Sequence, residues 1–116
     1  MCIRDSSLHL AESLHDLGCV LLRRRKRAES ETALDYLTRA AKIRELKLGK
    51  QSLEYAASMH QVGQAHIHLG LFNEARLYLS VACGLRMRKA GKRSAQAAAS
   101  HYALSIAFLG LSLIHI

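Results

Sequence analysis

Ala33-Leu-Asp-Tyr-Leu-Thr-Arg-Ala40 and Ala75-Arg-Leu-Tyr-Leu-Ser-Val-Ala82 lie 42 residues apart and carry Ala, Tyr, Leu and Ala at the same four places. The match continues outward. Between 33–68 and 75–110, 13 of 36 aligned positions are identical, including Arg44/Arg86, Gly49/Gly91, Ser52/Ser94 and Ala56-Ala57-Ser58/Ala98-Ala99-Ser100. An offset of 45 brings Ser13-Leu-His-Asp-Leu-Gly18 onto Ser58-Met-His-Gln-Val-Gly63, with the three extra residues in the connection 23–31. A fixed period of this length marks a stacked repeat whose units cannot bury an apolar face alone.

Each unit reads as two helices. Tyr55, Met59, Val62, Gly63 and His66 recur at spacings of three and four, which predicts a helix over 52–69. Ala75, Leu79, Ala82 and Leu85 do the same over 72–90. Gly70 marks the turn between them, Gly91 fits a left-handed C-terminal position, and Ser94 fits an N-cap. Unit one repeats the pattern with Leu14, Leu17, Gly18 and Leu21 over 8–23, then Ala33, Leu37, Ala40 and Ile43 over 29–48. A last helix over 94–109 has no second helix after it. The expected fold is therefore all-α, a helix-turn-helix repeat solenoid of about five antiparallel helices in units 8–51, 52–93 and an incomplete 94–110. Gly18 and Gly63 are expected to admit a neighbouring helix closely, with Leu37 and Leu79 filling the space. Ala99, Ala103 and Leu104 are expected to present an uncovered apolar face, leaving the fragment marginally stable or self-associating.

Composition agrees and excludes much else. At 116 residues there is room for one domain; proline and tryptophan are absent and aromatics are 5%, which rules out proline-rich, low-complexity and β-sandwich chains. Lys and Arg number 17 against nine Asp and Glu, giving +8 and favouring acidic partners. Three cysteines at unrelated spacings form neither a disulfide framework nor a zinc pattern, so a reducing, cytoplasmic setting is expected. No apolar run reaches the roughly 18 residues of a membrane span.

The ends read differently. Leu111-Ser-Leu-Ile-His-Ile116 and Met1-Cys-Ile-Arg-Asp-Ser6 can be encoded by one short DNA element in opposite orientations. That element resembles the transposase end sequence of sequencing libraries. Residues 1–6 and 111–116 are therefore expected to be foreign, leaving 7–110 as the genuine solenoid segment.

The repeat resembles the tetratricopeptide repeat. Met59, Val62, Gly63, His66, Ala75, Leu79 and Ala82 stand at the W-L-G-Y…A-F-A positions of that family, and the 42-residue period resembles that of kinesin light chains. The proline that follows the family's second helix is missing. His15-Asp16, His60-Gln61 and Tyr102-Ala103 replace the kinesin-light-chain asparagines, so no particular cargo carries over. The resemblance implies a scaffold whose first helices line a groove for a peptide or partner protein. By position the groove would comprise Glu12, His15, Cys19 and Leu22, then Ala57, His60, Gln64, Ile67 and His68, then Tyr102, Ile106 and Leu109, with neutral histidines offering one donor and one acceptor each.

Other chemistries have less to stand on. His60 and His68 share a helix face but lie about 12 Å apart, too far for one metal ion. Arg23-Arg24-Arg25-Lys26-Arg27 forms a basic patch at a turn, which keeps a basic solenoid contacting nucleic acid as the alternative, yet no aromatics interleave for base stacking. A purely structural spacer within a larger protein is a further alternative. Cys19 with His15 one turn before it lacks an orienting third group. No phosphate loop, paired carboxylates or serine-nucleophile motif is present, so neither an enzyme nor a cofactor is expected.

Overall fold

The computed structural model describes residues 5–24 and 26–114, with side chains described for 6–24 and 26–110. Five helices follow one another: α1 Asp5–Arg23, α2 Arg27–Leu48, α3 Leu53–His68, α4 Phe72–Lys89 and α5 Ala95–Ile114. The chain is all-α, with no strand among the described residues. The two terminal segments expected to be foreign fall partly outside the described residues; α1 begins within the first and α5 runs into the second.

Each helix packs on its neighbours in the chain, and α3 also touches α1 and α5. Contacts pair residues in opposite order: Gly18 meets Leu37 and His15 meets Arg44; Leu37 clusters with Val62 and Arg44 meets Ser58; Gly63 meets Leu79 and His66 stacks on Tyr78; Phe72 meets Gly110 and Arg86 meets Ser100. Consecutive helices are thus antiparallel. This leaves α1, α3 and α5 pointing one way and α2 and α4 the other, in a body of 55 × 34 × 19 Å.

The repeat in the sequence is a repeat of contacts. Ala33, Leu37 and Ala40 are fully buried, as are Ala75, Leu79 and Ala82. A Cβ placed on Gly18 would stand 2.6 Å from Leu37 Cγ, and one on Gly63 would stand 2.6 Å from Leu79 Cγ. Each glycine is the hole for a leucine of the following helix. Polar contacts repeat as well. Arg44 Nη1 donates to Ser58 Oγ at 3.1 Å and to the Glu54 carbonyl at 3.2 Å; Arg86 Nη1 donates to Ser100 Oγ at 3.1 Å and to the Gln96 carbonyl at 3.2 Å. Both serines are fully buried, so each arginine satisfies a hydroxyl that burial would otherwise leave costly.

The breaks between hairpins use one device twice. Gly49 and Gly91 sit at φ 90° and 104°, a region that L side chains avoid. Three residues later Ser52 Oγ accepts from the Tyr55 N–H, and Ser94 Oγ from the Ala97 N–H, both at 3.1 Å. Replacing Ser52 by alanine is expected to cost about 1 kcal/mol in urea unfolding, the usual loss of an N-cap.

Two packing expectations are corrected. Leu17 is not core: it is exposed, because no helix covers that side of α1. Nor do Ala99, Ala103 and Leu104 form an open face together. Ala103 is fully buried in one cluster with Ala75 and Leu79, Leu104 packs against that cluster, and only Ala99 is exposed. Helix α4 covers α5 from the preceding unit, so the apolar surface left open there belongs to Tyr102, Phe108 and Leu109.

Candidate functional site

The parallel trio α1, α3 and α5 encloses a groove of about 570 Å³. Cys19, Leu22 and Arg23 line it from α1, Gln61, Gln64, Ile67 and His68 from α3, and Tyr102 and Ile106 from α5. Helical periodicity explains the set on α3, since Gln61, Gln64 and His68 recur at three and four residues. Leu22, Ile67 and Ile106 give the groove an aliphatic floor. Arg23 supplies a cation, and among the described residues no carboxylate lines the groove.

Seven residues expected there are brought together: Cys19, Leu22, Gln64, Ile67, His68, Tyr102 and Ile106. Glu12 is exposed and Ala57 half-buried, both away from the lining. Gln61 belongs to the lining without having been expected; its place one turn before Gln64 was the available signal.

His60 needs correction as a groove residue. It is only 6% exposed, with Nδ1 3.1 Å from Ser100 Oγ and Nε2 3.5 Å from Gln64 Nε2. The small Ser100 lets α5 close over it, so the ring joins α3 to α5 instead of facing a ligand. Burial, then the charge of Arg86 and of His15, pushes its pKa down to about 4. His15 is likewise lowered, by burial first and then by Arg44, whose Nη1 lies 3.4 Å from His15 Nδ1. Both rings stay neutral near pH 7. His66, placed by spacing on the apolar face of α3, is buried, bonds the Val62 carbonyl through Nδ1 at 2.9 Å and stacks on Tyr78 at 5.1 Å between ring centres.

Cys19 and Cys83, the two cysteines among the described residues, are poorly suited to nucleophilic chemistry. Burial, then Asp16, raises the Cys19 thiol above its ordinary pKa, and burial raises Cys83, whose Sγ lies 3.7 Å from Met87 Sδ. A reactive thiol requires the opposite shift. The basic patch is divided. Arg23 lines the groove, Arg24 pairs with Glu29 at 3.3 Å, Arg27 lies 3.9 Å from Glu31, Lys26 is exposed, and Arg25 lies outside the described residues. Among the described residues no three His, Cys, Asp or Glu side chains come together as a metal site, and no helix is long and apolar enough to cross a membrane.

A second groove, of about 500 Å³, had not been anticipated. Leu10 and Leu14 of α1 and Thr38, Arg39, Lys42 and Ile43 of α2 line it. Searched against protein-family models and against curated proteins, the chain matches none.

Proposed function

We propose that the chain is a segment of a tetratricopeptide-type solenoid acting as a protein-interaction scaffold, binding an extended peptide or partner protein across α1, α3 and α5. The observation that carries this reading is the groove itself, built from the first helix of each repeat unit, with aliphatic side chains beneath and amides, His68 and Tyr102 at the rim. The amides and the Tyr102 hydroxyl supply donors and acceptors for a peptide backbone, and the floor takes apolar side chains. Arg23 at one edge, together with the net charge of +8, favours acidic segments in the encounter. A reducing intracellular setting belongs to the same reading.

The test is selection of peptides from a displayed random library on the immobilised chain, followed by titration against variants. Ile67→Asp and Tyr102→Ala are expected to weaken the selected peptides tenfold or more, whereas Leu71→Asp, an exposed position outside the lining, leaves them unchanged. Equal affinity for the groove variants would overturn the reading. Binding that falls steeply with salt and vanishes when Arg23, Arg24, Lys26 and Arg27 become alanine would instead favour a nucleic-acid or purely electrostatic contact.

A further inference from the structure

The molecule shows twice how a first-type helix is covered. On α3, Met59 packs with Ala41 of α2, Val62 and Ala65 pack with Leu37, and Ser58 receives Arg44. On α5, Ser100 receives Arg86. The covering helices share a spacing, a buried small residue with arginine three positions on: Ala41 then Arg44, Cys83 then Arg86.

Helix α1 carries a third copy of the acceptor, and it is open. By the 45-residue offset, Leu10, Ser13, Leu14, Leu17 and Val20 stand where α3 has Tyr55, Ser58, Met59, Val62 and Ala65. Ser13 is exposed whereas Ser58 and Ser100 are fully buried; Leu10, Leu17 and Val20 are 53%, 46% and 45% exposed. The second groove takes in the Leu10 and Leu14 part of this stripe. Its rim also carries a charge that needs an answer. In the internal example burial first, and then the charge of Glu45, next to Arg44, raises the pKa of Tyr55. The counterpart of Tyr55 is Leu10, which shares its groove with Arg39 and Lys42. Arg39 already lies 3.8 Å from Asp35, so the cation that a carboxylate carried to that place would meet is Lys42.

We propose that the open face of α1 docks an amphipathic partner helix bearing a small residue, an arginine three positions later and a glutamate directly after it. The small residue lies over Leu14, the arginine donates to Ser13, and the glutamate faces Lys42. This is helix-in-groove recognition, on a surface separate from the groove assigned above, and it stands whether or not that groove binds peptides.

A labelled synthetic peptide of the α2 sequence Arg27–Leu48, which contains Ala41, Arg44 and Glu45, is the probe for titration into the full 116-residue chain. Saturable binding is expected, weakened tenfold or more by Leu17→Asp or Leu14→Asp in the chain and by the Arg44→Ala change in the peptide. Tyr102→Ala in the chain leaves it unchanged. Leu17 is exposed, and circular dichroism of Leu17→Asp reports that the fold is kept. Absent binding, or binding indifferent to Leu17→Asp, would overturn the proposal. So would concentration-dependent dimerisation of the chain alone that Leu17→Asp abolishes, because a second copy would then be the occupant.

Discussion

Acidifying the protein from pH 6.5 to about 4 is expected to remove about 3 kcal/mol of unfolding free energy through His60, whose folded pKa is pushed down to about 4 from 6.5. The sign follows from proton counting. In that window the unfolded chain binds a proton at this ring and the folded chain does not, so stability falls as pH falls. Above 6.5 the ring is neutral in both states, and below about 4 it is charged in both, so the slope vanishes at each end. The cause is burial first: Ser100 of α5 and Gln64 of its own helix offer the ring no negative charge, the cation Arg86 of α4 opposes protonation, and His15 of α1 opposes it wherever that ring is itself protonated. His15, also lowered, adds to the slope with the same sign. Urea unfolding at several pH values checks this. His60→Gln keeps a polar group toward Ser100 and should lose about 3 kcal/mol less than the wild type across the window. An equal loss in both proteins would show that His60 protonates freely in the folded state.

The repeat explains which features were readable in advance. Gly18, Gly63, Leu37 and Leu79 stand out because a close helix approach tolerates only a glycine opposite a large side chain, and the chain makes that choice twice. Gly49/Ser52 and Gly91/Ser94 mark the breaks for a similarly local reason. His60 was less legible, since facing a groove and facing the next helix differ by a fraction of a turn. Only the depth at which α5 sits on α3 decides between them. One clue was present. Arg44/Arg86 and Ser58/Ser100 are identical between units although they are polar, and polar identity at a fixed period signals mutual pairing within the fold. Their partnership was not inferred because the pairs are 14 residues apart on different helices. The open stripe on α1 was obscured in another way. Leu14 and Leu17 have core periodicity, and periodicity states which face is apolar without stating whether anything covers it.

Gly63→Ala is expected to destabilise the protein, although alanine is the better helix former by about 1 kcal/mol. The added methyl would stand 2.6 Å from Leu79 Cγ and 2.9 Å from a Leu79 methyl, and Leu79 is fully buried with no space to retreat into. Overpacking of this kind costs about 1–3 kcal/mol and offsets the helical gain. Leu79→Ala empties the same place from the other side and should cost about 3 kcal/mol, within the usual range for a buried leucine. The decisive measurement is the double variant. If the glycine exists to receive the leucine, alanine at 63 fills part of the space that Leu79→Ala vacates. Gly63→Ala in the Leu79→Ala background then becomes neutral or stabilising. The two changes would fall short of additivity by about 1 kcal/mol or more in urea unfolding, as contacting residues do. Strict additivity would mean that the hole and the side chain are independent, and that the recurrence of this contact from one unit to the next does not hold the helix pairs together.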